Sequence, residues 1–182
     1  MSIVDEIIEL FVLRGGESYF GESVSQLEHA LQTAFQAELE GASDALIAAS
    51  LLHDIGHLLH KLPEDISDRG IDACHEKIGS RWLARYFPEA VTEPIRLHVS
   101  AKRYLCLIDS EFRRQLSAAS IQSLALQGGS MSKDEAHDFE LITYFRDSLR
   151  LRRWDDQAKV IGRKTPDLAQ YRCLLEKSAI TR

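Results

Sequence analysis

The apolar residues of this chain recur mostly at three- and four-residue intervals, the spacing that places side chains on one face of an α-helix. The first such run is Ile3, Ile7, Ile8, Phe11 and Val12, and residues 14–17 end the helix that it predicts. Further helices are predicted over residues 25–39, 43–55, 75–86, 91–106, 110–118, 133–148, 155–161 and 167–177.

Local signals agree with this helical pattern. Gly41 is a predicted C-terminal stop, and Ser132 with Glu135 forms a predicted capping box. Residues 62–71 read as a polar loop. The chain has only 10 glycines and 4 prolines, with no long alternating runs, repeats or low-complexity linker. We therefore predict an all-α fold, a single helical bundle domain over residues 1–182.

Composition narrows the class of protein. With 182 residues and 45% hydrophobic residues, the chain is long and apolar enough for one domain with a substantial core. Its net charge of -6 argues against general nucleic-acid binding, although a small basic pocket could still hold an anion. The acids at the N-terminus do not suit a signal peptide, and no apolar run is long enough to span a membrane. We expect a cytoplasmic protein that does not associate with membranes.

The three cysteines, Cys74, Cys106 and Cys173, are scattered and form no CxxC motif. This pattern suits a reducing compartment, in which they would sit as small apolar residues. We do not expect Cys74 to bind metal, although it precedes a candidate ligand.

Candidate chemistry comes from the histidines, because five of the seven lie between His53 and His98. A single histidine near an apolar face is more often a hydrogen-bonded core residue than a ligand. His53 and Asp54, however, stand side by side within a predicted apolar helix. Burying an ionised carboxylate there is costly unless something pairs with it, and a metal ion is a natural partner. The two oxygens of Asp54 could each face one metal.

The order of histidines and aspartates resembles that of the HD superfamily, whose members are mostly phosphohydrolases and include diiron oxygenases. The resemblance implies six ligands to two metals: His29, His53, Asp54, His75, His98 and Asp155. It assigns His75 and His98 to one metal and the others to its neighbour, with Asp54 bridging. Asp156 is an alternative to Asp155, which we prefer because its spacing to Lys159 matches the family.

Further segments are similar to the HD-domain oxygenases that cleave carbon–phosphorus bonds, the 2-amino-1-hydroxyethylphosphonate dioxygenases. They are YFGE at residues 19–22, QLEH at 26–29, HEKIG at 75–79, HVSAKRYL at 98–105, LQGG at 126–129 and RRWDDQAK at 152–159. The similarity runs over nearly the whole chain.

This resemblance implies roles in substrate binding and catalysis. Tyr19 would occupy a metal position until substrate displaces it, and Glu22 would contact the substrate amine. The phosphonate would be held by His57, Lys102, Ser120 and Arg152. Of the residues near the substrate, those expected to act in catalysis are Tyr19, Glu22, His57 and Lys102.

Helical spacing is compatible with three of these roles. Lys102 follows His98 by four residues, His57 follows His53 by four, and Arg152 precedes Asp155 by three, so each pair would share a helix face. Arginine and lysine suit phosphonate oxygens.

The residues by themselves leave other interpretations open. Lys102 and Arg152 would also suit a solvated surface, Tyr19 and Phe20 a core, and Glu22 a helix N-terminus. Ser120 is hard to separate from Ser117 and Ser123. His60 and His137 are taken as structural or surface residues.

The activity implied by the resemblance is oxidative. A mixed-valent Fe(II)/Fe(III) pair, with O2 as co-substrate, would convert a 1-hydroxyphosphonate into a carboxylic acid and phosphate. The far end of this small-molecule substrate would be an amine or a quaternary ammonium group, the latter contacting Tyr19 or Phe20. The alternatives are a metal-dependent HD phosphohydrolase for a nucleotide or phosphodiester, and a non-catalytic HD module that binds a ligand. The oligomeric state is left open.

Overall fold

The computed structural model describes residues 2–19, 22–59 and 72–180. Over these ranges the chain is helical, and its β-structure is a single bridge between Ser18 and Ser25. The predicted all-α class is confirmed. The α-helices are α1 Ile3–Arg14, α2 Gln26–Leu39, α3 Asp44–Leu52, α4 Ile55–Leu59, α5 His75–Leu83, α6 Glu89–Ile108, α7 Ser110–Gln115, α8 Ala118–Leu126, α9 Lys133–Glu140, α10 Phe145–Gln157 and α11 Arg172–Ser178. A 3-10 helix, Leu168–Tyr171, leads into α11.

Polar side chains fix where several helices begin. Ser2, Ser25 and Ser132 each form a capping box with the acid three residues later, so two orphan backbone N–H groups are satisfied at each start. The predicted box of Ser132 and Glu135 is among them. Gly41 follows α2 with a φ of 62°, a left-handed conformation that favours glycine.

Helix α6 is the centre of the bundle and packs against α3, α5 and α10, while α2 packs against α3 and α10. The largest buried side chains of the main core include Trp154, Tyr171 and Phe87. The inward faces of α2, α3, α5, α6 and α10 thus meet around one region, and the candidate ligands lie on or beside these helices.

The predicted helix over residues 43–55 is wrong in one respect, because it breaks at the candidate ligands. Helix α3 ends at Leu52 and α4 begins at Ile55, so His53 and Asp54 lie at the junction. The Nδ1 atom of His53 bonds the carbonyl oxygen of Ser50, 2.8 Å away. That bond ties the side chain to the end of α3 and fixes the direction of its ring.

The C-terminal half also differs from the predictions. Residues 118–126 form α8, which the sequence did not predict; Ser117 caps it by accepting a hydrogen bond from the N–H of Ser120. Residues 133–148 form parts of α9 and α10, separated by turns at 141–144. The aromatic rings of Tyr104, Phe139 and Phe145 pack edge to face or tilted where these two helices meet.

The predicted helix over residues 155–161 is also wrong, because α10 continues to Gln157 and then stops. The side chain of Gln32 accepts from the N–H of Val160 and donates to its carbonyl, at 3.1 and 2.9 Å. These two bonds hold the segment after α10 against α2 in a non-helical conformation.

Some predictions concern residues outside the described ranges: the polar loop at 62–71, Phe20 and His60. His137 is exposed on α9. The three cysteines are free, but whereas Cys106 is buried, Cys173 is exposed, against the expectation that it would sit in the interior. Within the described part of the chain, no helix combines the length and apolar character needed to cross a bilayer.

Gly56 lets α4 approach the start of α5. A Cβ atom built on Gly56 would lie 2.0 Å from the carbonyl oxygen of His75 and 2.8 Å from its carbonyl carbon. Contacts this short with backbone atoms require the backbone to move. The absence of a side chain at Gly56 therefore sets the position of His75, which is a candidate ligand.

We expect Gly56→Ala to lower the free energy of unfolding by about 1–3 kcal/mol, as overpacking of an interior does. Urea denaturation of the metal-free protein measures this change. Gly16→Ala is the matched control, since a Cβ atom there meets nothing within 4 Å. Equal stability of the two variants would contradict the steric role of Gly56.

Candidate metal centre

Four histidines and two aspartates that are far apart in sequence come together in the interior. Their exposed fractions range from 0% for His29 to 9% for His75. They come from α2, the α3–α4 junction, α5, α6 and α10, and they are His29, His53, Asp54, His75, His98 and Asp155. The structure therefore brings together all six residues of the predicted ligand set.

One half of the cluster is built around His29 and His53. Their Nε2 atoms are 3.1 Å apart. The Oδ1 atom of Asp155 lies 3.4 Å from the Nε2 of His29, and the Oδ2 atom of Asp54 lies 3.4 Å from the Nε2 of His53. Two imidazole nitrogens and two carboxylates thus face one point.

The other half contains His75 and His98, whose Nε2 atoms are 3.0 Å apart. The second oxygen of Asp54, Oδ1, lies 3.2 Å from the Nε2 of His75 and 3.6 Å from that of His98. Asp54 therefore directs one oxygen to each histidine pair, which is the arrangement expected of a bridging carboxylate.

The tautomers of three histidines follow from their partners. The Nδ1 atoms of His29, His53 and His98 lie 2.7–2.9 Å from the backbone carbonyl oxygens of Ala158, Ser50 and Ile95. Because a carbonyl only accepts, each Nδ1 carries a proton, and the Nε2 of each neutral ring presents a lone pair. Two facing lone pairs about 3 Å apart repel, and this repulsion is relieved when a proton or a metal ion lies between them.

One oxygen of each carboxylate also lacks a hydrogen-bond donor. Within the described residues, Asp54 Oδ1 and Asp155 Oδ1 are buried without a hydrogen-bond partner. An unpaired buried carboxylate oxygen is costly, and a bound cation removes that cost. Imidazole nitrogen with carboxylate oxygen suits Fe, Mn, Co or Zn. The donor set therefore fits two metal ions that share Asp54.

The electrostatics of the cluster favour positive charge. Burial opposes ionisation of Asp54, but His53 and His75 hold the pKa of its carboxyl well below its usual range. Burial lowers the pKa of His53, yet Asp54 and Asp155 outweigh it and raise that pKa to about 9. Burial and His75 keep the pKa of His98 well below its usual value, so His98 is a neutral imidazole. Protons and metal ions therefore compete for the half that contains His53.

The ring of Tyr19 covers one side of the half of the cluster that contains His29 and His53. It stacks on the ring of His29, with centroids 3.9 Å apart and an interplanar angle of 17°. Burial, the charges of Asp54 and Asp155 and a hydrogen bond to Asp54 raise the pKa of Tyr19 well above its usual value. The phenol is therefore protonated at neutral pH and lies beside the carboxylate of Asp54.

Three of the four predicted anion-binding residues are buried, and the fourth, His57, is partly exposed, so the alternative of solvated surface charges for Lys102 and Arg152 is wrong. Lys102, Arg152 and Ser120 are 2%, 5% and 6% exposed. Lys102 donates to Ser123 Oγ at 2.9 Å, and Arg152 binds Asp155 and Asp156. The ring of His57 stacks on that of His75 at 4.0 Å. Arg152 thus contacts the cluster through Asp155 and His57 through His75, while Ser120 accepts a hydrogen bond from Lys159.

The structure distinguishes the neighbouring aspartates at the end of α10. Asp155 faces His29 and His53, whereas Asp156 binds the guanidinium group of Arg152 with both oxygens, at 2.5 and 2.7 Å. Asp155, and not Asp156, lies within the cluster. Asp156 instead fixes the orientation of Arg152.

Sequence reasoning missed Lys159 as a site residue. Its Nζ atom lies 3.2 Å from Glu22 Oε1 and donates to Ser120 Oγ at 2.9 Å and Ser117 Oγ at 3.3 Å. Glu22 also accepts from Ser117. Glu22 is thus paired across the site rather than acting as a helix N-terminal acid. The motif at residues 152–159 contained Lys159, but the sequence predicted a helix over residues 155–161, whereas the chain leaves the helical conformation after Gln157, so helical spacing does not give the direction of this side chain.

Comparisons with known proteins agree with this arrangement. Residues 27–123 match the HD domain family. The hydroxymethylphosphonate dioxygenase of Gimesia maris is 48% identical over 162 residues, 88% of this chain and 81% of that protein. The glycine-betaine-forming [1-hydroxy-2-(trimethylamino)ethyl]phosphonate dioxygenase of Leisingera caerulea is 38% identical over 97% of this chain and 90% of its own. An uncharacterized protein of Acanthamoeba polyphaga mimivirus is also 38% identical, over 94% of this chain and 80% of its own.

We expect Asp54→Ala to abolish dinuclear metal loading, because it removes the carboxylate that faces both histidine pairs. Metal content per chain, measured after anaerobic reconstitution and desalting, should fall from two ions to one or none. Asp156→Ala is the matched control and should keep two ions, since Asp156 binds Arg152 instead of facing the histidines. An Asp54→Ala variant that retains two ions would contradict the bridge.

Proposed function

The chain belongs to the HD domain family and, within it, to the HD-domain phosphonate dioxygenases, and we propose that it uses O2 to cleave the carbon–phosphorus bond of a 1-hydroxyphosphonate. The products are a carboxylic acid and phosphate. The observation that carries this proposal is a carboxylate, Asp54, shared between two histidine pairs and bordered by buried cationic side chains.

We propose that the two metal ions are iron in the mixed-valent Fe(II)/Fe(III) state. His29, His53 and Asp155 would hold one ion, His75 and His98 the other, and Asp54 both. When bound, the irons supply O2 activation and coordination of substrate oxygens. The protein supplies positioning and charge.

The buried cations would hold the phosphonate. Lys102 and Ser120 are buried residues of α6 and α8, and the ring of His57 stacks on that of His75. Arg152 contributes positive charge, but Asp155 and Asp156 already occupy its guanidinium group. Its first role is therefore to orient Asp155 and to offset the negative charge of the aspartates. Its positive charge would also attract the phosphonate, without a direct bond.

Tyr19 would guard the metal centre before substrate binds. Its protonated phenol lies against Asp54 and its ring covers His29, so a substrate reaching that position must displace it. Such a cover limits access of water and O2 to the centre until the substrate is in place.

Glu22 would face the far end of the substrate. In the substrate-free protein, the carboxylate of Glu22 forms an ion pair with Lys159 and accepts a hydrogen bond from Ser117. A substrate with an amine or trimethylammonium group must compete with Lys159 for Glu22, whereas hydroxymethylphosphonate has no such group and leaves the pair intact. The substrate candidates are therefore hydroxymethylphosphonate, 2-amino-1-hydroxyethylphosphonate and [1-hydroxy-2-(trimethylamino)ethyl]phosphonate.

The proposal is tested with anaerobically prepared, iron-loaded protein and a panel of these three 1-hydroxyphosphonates. We expect phosphate release only after O2 is admitted, with matching oxygen uptake. In the Glu22→Gln variant, the rate with the cationic substrates should fall more than the rate with hydroxymethylphosphonate. Equal phosphate release without O2 would instead identify a hydrolase. Inactivity with all three compounds in both conditions would also contradict the proposal.

Lys102 predicts a dependence of substrate binding on pH. Burial, with the charge of Arg152, lowers the pKa of its ammonium group to about 7. A bound phosphonate favours the charged form and so raises this pKa. Affinity is therefore full below pH 7 and is lost as pH rises from 7 to 9, and we expect KM to increase about tenfold for one charge-assisted bond. Steady-state kinetics at each pH measures this change in KM.

Lys102→Arg is the control, because an arginine stays charged throughout this range. Titration of the phosphonate affects both proteins alike, so the difference between the two KM profiles isolates Lys102. Parallel profiles would show that Lys102 does not bind the phosphonate as an ammonium group.

A further inference from the structure

His75 differs from the other three histidines of the centre. Each of the others donates its Nδ1–H to a backbone carbonyl at 2.7–2.9 Å. Among the described residues, His75 has no such carbonyl partner, and a carboxylate oxygen, Oε2 of Glu76, lies 3.9 Å from its Nδ1. The acceptor beside His75 is thus a side chain that carries charge.

Glu76 is itself short of a donor. It is 5% exposed, and within the described structure its Oε2 atom is buried without a hydrogen-bond partner. Its other oxygen, Oε1, lies 3.9 Å from the Nζ atom of Lys77. A buried carboxylate oxygen without a donor is costly. A histidine donor and a carboxylate acceptor that both lack short bonds therefore stand side by side.

A role in helix stability accounts for only part of this arrangement. Glu76 lies in the first turn of α5, where an acid interacts favourably with the helix dipole. A solvent-exposed acid would give the same benefit at lower cost. A groove of about 490 Å³ between α5 and α6, lined by Glu76, Arg81 and Arg96, lies close by, yet Oε2 is shielded from solvent. The dipole does not explain this shielding.

We infer that Glu76 is a positioning residue for the second metal, and that its Oε2 accepts the Nδ1–H of His75 when the centre is loaded. A shift of about 1 Å would bring the Nδ1 atom of His75 and the Oε2 atom of Glu76 to hydrogen-bond distance. A carboxylate in this position fixes the ring orientation and makes the imidazole a stronger ligand. The inference rests on the metal centre of the proposed function and not on its substrate.

The test is a titration of metal-free protein with Mn(II), followed by metal analysis and by electron paramagnetic resonance, which distinguishes a single ion from a coupled pair. We expect Glu76→Ala to weaken binding of the second ion by roughly 10- to 100-fold and to leave the first nearly unchanged. Glu76→Gln keeps an acceptor oxygen and should recover part of the affinity. Glu93→Gln is the control, because Glu93 lines the same groove but pairs with Arg96.

Two results would overturn the inference. One is a coupled Mn(II) pair formed by Glu76→Ala at wild-type concentrations. The other is an equal loss of both binding steps together with a lower melting temperature of the metal-free variant, which would show a merely structural role. Failure of the proposed function is distinguishable, because a wild-type protein that binds two ions but is inactive on phosphonates leaves the Glu76 result intact.

Discussion

A single carboxylate placed between two pairs of imidazole lone pairs governs this structure. Asp54 has no hydrogen-bond donor for its Oδ1 atom among the described residues, and the Nε2 atoms on either side face one another in pairs at 3.1 and 3.0 Å. Two cations resolve all of these costs together. The break between α3 and α4, the close approach of Gly56 to His75 and the carbonyl partners of three histidines all serve to hold the donors of this centre in place.

Around the centre, the charges form layers of alternating sign. The aspartates of the cluster are followed by Arg152, Lys102 and Lys159, and these by Asp156 and Glu22. An acidic protein with a net charge of -6 can thus present a local cationic surface to a phosphonate. Arg152 and Lys102 are buried and Lys159 is partly buried, and each has an acid or hydroxyl partner, so the energetic cost of burial is shared across the network.

The clustering of the six candidate ligands was predictable because these residues keep a recognisable order and spacing, and because an Asp beside a His in an apolar helix demands a partner. The helix boundaries were less predictable. Side-chain bonds to the backbone, such as those of His53 and Gln32, interrupt helices whose apolar spacing continues. Periodicity also cannot separate Asp155 from Asp156, which are adjacent on one helix. Lys159 was missed as a site residue because it lies beyond α10, where helical spacing no longer indicates direction.

The ligands of the centre are distributed from residue 29 to residue 155, on five separate segments of the chain. An unfolded chain does not hold them together, so metal binds the native state more tightly than the unfolded chain and stabilises it by mass action. The melting temperature of a purified sample therefore depends on its metal content. A difference in melting temperature between preparations, or between buffers with and without a chelator, first indicates a difference in metal occupancy and only then a change in the polypeptide.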